Sequence, residues 1–268
     1  MRQKLTGPDD PMVQMRNIYK TFNAGSVNER SVFHDFSLSI QQGEFAAVVG
    51  SNGSGKTTLL NLLCGSVPPD GGEIEVAGER VAKQKDHRRA RRIGRVFQDP
   101  SKGTCGTLTV LENMSLADHK GKHYSLQSGV NRKRIEAYRA LLEPLGLGLE
   151  NQMNLTVGSL SGGQRQALAL LLSTMTPVDL LILDEHTAAL DPRSSETVME
   201  LTEKVVREKK ITTLMVTHNL RFAVAYGNRL LMMHMGEIVV DAAGEAKNAY
   251  PVEELVKIFN EISIEMGN

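Results

Sequence analysis

The run Gly50-Ser51-Asn52-Gly53-Ser54-Gly55-Lys56-Thr57-Thr58 constrains this chain more than any other stretch, because it satisfies G-x-x-x-x-G-K-[ST] at every fixed position. The flanks agree with it. Phe45-Ala46-Ala47-Val48-Val49 is an apolar run suited to a buried strand, and from Thr57 to Cys64 the leucines Leu59, Leu60, Leu62 and Leu63 recur at helical spacing. A strand, a glycine loop and a helix in that order put backbone N–H groups and the positive end of a helix dipole at one point, where a phosphate can sit. Lys56 is then placed to reach the β- and γ-phosphates of a nucleoside triphosphate, and the Thr57 hydroxyl to face a Mg²⁺ ion on those phosphates.

The chain has 268 residues, room for one large or two small domains, with equal counts of basic and acidic residues, 31 each. A formal charge of zero gives no global attraction to nucleic acid or to an anionic membrane, so no nucleic-acid partner is expected. Two cysteines, Cys64 and Cys105, make no disulfide framework and indicate a reducing compartment. No uncharged apolar run reaches membrane-spanning length, and the start has no apolar core of the signal-peptide type, so the chain reads as neither secreted nor integral.

Past a polar tail over residues 1–11, Met12 to Phe22 and then Phe36, Leu38 and Ile40 alternate as strands of an antiparallel edge. Phe22 can stack on a nucleotide base, with Tyr19 as the second choice and simple sheet packing as the bland alternative. Pro68-Pro69-Asp70-Gly71-Gly72 is turn chemistry, and Glu73-Ile74-Glu75-Val76 continues the antiparallel part. The basic cluster Lys83, Lys85, Arg88, Arg89, Arg91, Arg92 and Arg95 reads as a solvated helix face in preference to a nucleic-acid patch. After Gln98-Asp99-Pro100 the pattern turns helical through Ser159. There Ile135, Tyr138, Leu141, Leu142 and Leu145 make an apolar stripe of the core type.

Leu160-Ser161-Gly162-Gly163-Gln164 precedes a strongly helical apolar run, with Ser161 at the N-cap position, so the chain carries a second anion-binding helix start distinct from Lys56. Leu180-Leu181-Ile182-Leu183 ends in Asp184-Glu185, the pattern of a buried parallel strand delivering carboxylates to its C-terminal edge. Neighbouring strand residues point opposite ways, so Asp184 can face a metal while Glu185 faces the attacking water. The run from Ile211 to Val216 places His218 at a similar edge. His34, His87, His119 and His123 read as solvent-facing. Leu230 to Val240 reads as a hairpin around Gly236, and the end, from Pro251, as an amphipathic helix.

Taken together, the phosphate loop, Gln98, Leu160 to Gln164, Leu180 to Glu185, Asp191 and His218 resemble, in order and spacing, the ATP-binding cassette (ABC) family, over nearly everything from Met12 to Asp241. The resemblance implies an α/β fold: a P-loop NTPase core with an antiparallel β subdomain and an inserted α-helical subdomain. The expected segments are a tail at 1–11, the β subdomain and first part of the core at 12–98, the helical subdomain at 99–159, the rest of the core at 160–245 and a C-terminal helix at 246–268.

It also implies ATP and Mg²⁺ as cofactors. ATP would be held by Phe22, by Gly50 through Thr58, by Gln98, and by Asp191. Mg²⁺ would be held by Thr57, Gln98 and Asp184, with Glu185 as general base and His218 and Lys56 at the γ-phosphate. Ser161, Gly162, Gly163 and Gln164 would act in trans, from a second copy in a head-to-tail homodimer. One position departs from the family pattern: His186 stands where Pro is common, as a backbone substitute or as a group titrating near neutral pH beside the base. The implied protein is the ATPase subunit of a membrane transporter, cytoplasmic and peripheral on the inner face of the membrane. Its implied partners are integral permease subunits and a separate solute-binding protein. The form most similar is a bacterial importer of a small solute such as an aromatic amino acid. An exporter subunit, or a soluble cassette ATPase acting on ribosomes or DNA, stays open as an alternative.

Overall fold

The computed structural model describes residues 10–121, 129–248 and 250–265; His123 lies outside them. The first half of the chain contains β1 (Val13–Phe22), β2 (Arg30–Ile40), β3 (Phe45–Gly50), α1 (Lys56–Cys64), β4 (Gly71–Val76), β5 (Glu79–Arg80), α2 (Asp86–Arg89), β6 (Ile93–Val96), α3 (Val110–Asp118) and α4 (Ile135–Leu142). The second half contains α5 (Gly162–Thr174), β7 (Leu180–Asp184), α6 (Pro192–Lys209), β8 (Thr212–Val216), α7 (Leu220–Ala225), β9 (Arg229–His234), β10 (Glu237–Ala243), α8 (Gly244–Asn248) and α9 (Val252–Glu265).

Six strands form one sheet in the order β10-β9-β3-β8-β7-β6, parallel from β9 to β6 and closed at one edge by the antiparallel β9–β10 hairpin. Parallel strands are buried on both faces, which is why β3, β7 and β8 read as continuous apolar runs. The two-residue period splits their side chains between two cores. Ala46, Val48, Ile182, Leu214 and Val216 join Leu59, Leu60, Leu62 and Leu63 of α1 and the apolar residues of β1, β2 and β4. Ala47, Val49, Leu181, Leu183 and Met215 join α5, Tyr138 and Leu142. Burying each such leucine contributes about 1.5–3 kcal/mol.

The antiparallel sheet runs β2-β1-β4-β5. The β1–β2 register slips at three points, the first between Met15 and Ile18, where Asn17 takes φ 50° and donates from Nδ2 to Asp35 Oδ1 at 2.6 Å. Such a bulge shifts the side-chain phase by one residue.

The basic cluster differs from the expectation of a solvated helix face. Arg89 is buried, donating to the carbonyls of Leu62, Leu63, Ala82 and Gln84, so it closes the C-terminal end of α1 where helix carbonyls lack partners. Arg92 pairs with Glu79 at 2.8 Å and with Asp179 at 2.6 Å, and Arg95 pairs with Asp184. Only Lys83, Lys85, Arg88 and Arg91 stand exposed. The element there is a single helical turn, too short to present a face, and the arginines instead meet carbonyls and carboxylates that other segments leave unpaired.

The inserted helices begin at a capping box, in which Thr109 Oγ1 accepts from Glu112 N and Glu112 Oε2 accepts from Thr109 N. Tyr138 is fully buried and donates to Asp118, which also takes Arg134 at 2.6 Å. His34 and His87 are exposed as expected, but His119 is half-buried, one ring nitrogen 2.7 Å from the Ser115 carbonyl. At the other end Lys247 is buried, its Nζ donating to the carbonyls of Val224, Tyr226 and Gly227, and this ties α8 to the end of α7. No helix among the described residues is long and apolar enough to cross a membrane.

Candidate functional site

Parallel strands aim their C-terminal ends at one edge, and β3, β7 and β8 each deliver a polar segment there. After β3 the glycines make the turn: Gly50, Gly53 and Gly55 take φ of 152°, 82° and 106°, which only glycine adopts without strain. Gly50 also lies against the Met233 carbonyl of β9, where a Cβ has no room. Lys56 opens α1 at 5% exposure, with Nζ donating to the carbonyls of Gly50 at 2.7 Å and Ser51 at 2.9 Å. Burial pushes its ammonium below the ordinary lysine value, against the pull of the nearby Glu185.

Glu185 follows β7 directly at φ 48°, in the left-handed region. Its N–H donates to the Val216 carbonyl of β8, and its carbonyl accepts from Ala188 N. This turn sends the carboxylate toward β8, where Oε1 lies 2.7 Å from His218 Nε2. Asp184, one residue earlier, points elsewhere: Oδ2 accepts from Arg95 Nη2 at 2.6 Å. The divergence expected of neighbouring strand residues is therefore present.

A cavity of about 500 Å³ joins these groups. Phe22, Asn23, Asn28, Arg30 and Val32 form one side, Asn52, Gly53, Gly55, Lys56, Thr57 and Thr58 form another, and Glu185 and His218 complete it. Phe22, with the Lys20 ammonium 5.3 Å from its ring centroid, lines the cavity; Tyr19 does not, and instead meets His34 edge-on. Arg30 escaped the sequence reading. It donates from Nη2 to the Gly53 carbonyl at 3.0 Å, a contact across 23 residues that no local pattern announces.

The loop fits a bound phosphate chain. The hydroxyls of Ser51 and Ser54 are buried without a partner among the described residues, within a loop whose glycines free the backbone amides. Thr57, Gln98 and Asp184 offer a hydroxyl, an amide oxygen and a carboxylate, the hard donors that suit Mg²⁺. Thr57 lines the cavity, whereas Gln98 is exposed and does not, and Asp184 is held by Arg95.

The second helix start is not part of this cavity. Ser161 caps α5, its Oγ accepting from Gln164 N at 3.2 Å while Gln164 Oε1 accepts from Ser161 N at 3.1 Å. Gly162 and Gly163 let α5 approach α6: a Cβ on the first would sit 3.1 Å from Leu190 Cδ2, and on the second 3.3 Å from Ser194. Asp191 caps α6, accepting from Ser194 N at 3.1 Å, and bonding to Ser194 holds its carboxyl below the usual range. Neither Ser161 to Gln164 nor Asp191 touches the Lys56 cavity. His218 also borders a second cavity, about 700 Å³, walled by Thr187, Leu190, Pro192 and Phe222.

His186 is buried at 2% exposure against α6. Thr202 Oγ1 already donates to the Val198 carbonyl at 2.7 Å, so the imidazole is the donor across the 3.2 Å to that hydroxyl. Burial lowers its pKa to about 4, which corrects the alternative of a group titrating near neutrality beside the base. As pH falls below the ordinary 6.5 the unfolded chain takes up a proton that the fold refuses. Stability is therefore complete above that value and declines by about 3 kcal/mol as pH falls to about 4. In His186→Pro this loss should vanish from urea midpoints measured between pH 7 and 4.5, while the acid limb of any catalytic profile above pH 5 stays in place. An imidazole resonance of His186 titrating near 6.5 would overturn the assignment.

Known proteins place this geometry. A family model described as "ABC transporter" matches residues 33–188. The chain is 44% identical over 248 residues to a tyrosine transport ATP-binding protein of Clostridioides difficile, covering 92% of this chain and 98% of that one. It is 30% identical over 265 residues to a phosphonates import ATP-binding protein of Treponema denticola, covering 96% and 98%. Among solved structures it is similar to a dimeric ATP-binding cassette in a post-hydrolysis state with ADP and Pi, at TM-score 0.73 and 29% identity, covering 87% of this chain and 98% of that one. A cassette in its ADP conformation, at TM-score 0.79 and 23% identity over 97% of this chain and 100% of that one, shares the fold. A phosphate loop under a cavity walled by Glu185 and His218, in a chain whose family match spans more than half its length, leads to one conclusion: this protein belongs to the ABC transporter family and is one of its ATP-binding cassettes.

Proposed function

We propose that this ABC ATPase hydrolyses ATP at the interface of a homodimer and drives import of an aromatic amino acid or a related small solute through separate permease subunits. The observation that carries the reading is the 2.7 Å pair of Glu185 and His218 on the wall of the Lys56 cavity, with the Ser161 to Gln164 segment absent from that wall. A phosphate site with a base but without its second anion-binding segment is complete only when another copy supplies Ser161 and Gly163. The dimeric cassette with ADP and Pi supports that arrangement.

In this reading Phe22 stacks on the base, while Lys56 and the amides of Gly53 and Gly55 hold the phosphates. Thr57, Gln98 and Asp184 hold Mg²⁺, which would neutralise charge developing on the β- and γ-phosphate oxygens. Glu185 takes a proton from the attacking water, and His218 orients the carboxylate and the γ-phosphate. ATP and water become ADP and phosphate. Asp191 would link the two sites across the dimer. The surface from Gln98 through Leu116, with Leu116 half exposed, is assigned to the permease because it joins the end of β6 to the inserted helices. The protein would sit on the inner face of the cell membrane, with a solute-binding protein feeding the permease from outside.

The relative of Clostridioides difficile supports tyrosine as the first solute to test. A tagged chain purified from membranes should carry an integral permease with it, and the pair in proteoliposomes should accumulate radiolabelled tyrosine only when ATP is on the cassette side. ATP-driven efflux would make it an exporter. Co-purification with ribosomes in place of a membrane protein would sink the transport reading.

A further inference from the structure

Arg95 is the one cation of the basic cluster that reaches the nucleotide edge of the sheet, and the function proposed above does not use it. Its Nη2 donates to Asp184 Oδ2 at 2.6 Å and its Nη1 to Asn61 Oδ1 of α1 at 3.1 Å. Both members of the pair are mostly buried, with 15% and 19% of their side chains exposed, and the guanidinium also lies beside the Cys64 thiol. The guanidinium lies 4.7 Å from the centroid of Phe97, the residue before Gln98. One side chain therefore touches a carboxylate assigned to the metal, the phosphate-loop helix and the strand end that delivers Gln98.

We propose that Arg95 is a positioning residue that sets the metal requirement of this site. It holds Asp184 in an ion pair that an incoming divalent ion must share. A fixed positive charge bonded to one carboxylate oxygen orients the other, yet repels a dication a few ångströms away, and in a poorly solvated site that repulsion is weakly screened. Asp184 is consequently a weak metal ligand until the nucleotide phosphates supply the remaining negative charge, which makes metal entry conditional on nucleotide. The stack on Phe97 passes any shift of the pair to Gln98, the other ligand on that side. The inference rests on the assignment of Asp184 to the metal, and the test separates the two.

Mn²⁺ binding to the full-length protein saturated with ADP, followed by the loss of the free-ion electron paramagnetic resonance signal, reads metal affinity without turnover. Arg95→Met should tighten Mn²⁺ about tenfold, Arg95→Lys should stay near the native value, and Asp184→Asn should weaken it about tenfold or more. Without ADP, Arg95→Met should bind Mn²⁺ where the native protein does not. Arg95→Gln keeps a donor to Asp184 and serves as the neutral variant if the methionine form does not fold. Fluorescent ADP binding in EDTA should be equal in all variants that fold. Affinity unchanged or weakened in both neutral variants, with Asp184→Asn weakened, overturns the role of Arg95 and leaves the metal site standing. Affinity unchanged in Asp184→Asn removes the metal site itself, and the proposal with it.

Discussion

Glu185→Gln should bind ATP and scarcely hydrolyse it, with phosphate release falling by about 10² to 10⁴-fold, the usual contribution of a positioned general base. The substitution is close to isosteric. The amide oxygen can still accept from His218 Nε2, which lies 2.7 Å from the native carboxylate, so the turn at φ 48° and the contact to β8 are kept while the base is lost. In the proposed head-to-tail dimer, where ATP bridges the two copies, the variant should then stop at the nucleotide-bound dimer. Light scattering with ATP and Mg²⁺ should give twice the mass of the 29.4 kDa chain. A variant that binds ATP yet remains a monomer would refute the head-to-tail arrangement, and near-native turnover would remove Glu185 from the chemistry.

Lys56→Ala should lose nucleotide affinity and activity together. The buried ammonium is the side-chain cation that α1 places at the glycine loop, and bonds to a charged partner are worth about 1.5–3 kcal/mol, roughly 10 to 150-fold in ATP binding. The same charge opposes the negative charge developing on the γ-phosphate oxygens, which should cost about a further 10² to 10³-fold in turnover. In the native chain Nζ also satisfies the carbonyls of Gly50 and Ser51, so a modest loss of stability should accompany the change. A calorimetric titration with ATP, read beside a thermal melt, separates the two effects. Unaltered affinity in a folded variant would place the phosphates elsewhere.

Much of the site was legible because its groups follow strands. The continuous apolar runs of β3, β7 and β8 identify buried parallel strands, and residues just past such strands share one edge, so Lys56, Glu185 and His218 could be brought together before any coordinates. The capping boxes at Thr109 and Ser161 are likewise local rules, satisfied within three residues. Phe22 was separable from Tyr19 only in the structure, because the register shifts between Ile18 and Lys20 and between Lys20 and Thr21 break the alternation by which their faces would be assigned.

The basic stretch marks the boundary between the two kinds of information. Charge density along the chain is the same for Arg88 and Arg89, yet one is exposed and the other caps α1 from within. What separates them is which carbonyls and carboxylates other segments leave without partners, a property of elements up to 89 residues apart, as for Arg95 and Asp184. His186 repeats the point. Its sequence neighbour Glu185 invites an electrostatic role, whereas packing against Thr202 of α6 keeps it neutral. The sequence by itself determined the phosphate loop, the parallel core, the carboxylate edge and the capped helix start at Ser161, because each depends on backbone periodicity and on residues a few positions apart. Tertiary structure alone decided the partners of Arg30, Arg89, Arg95 and His186, because the energy of a buried polar group is set by whatever distant segment folds against it.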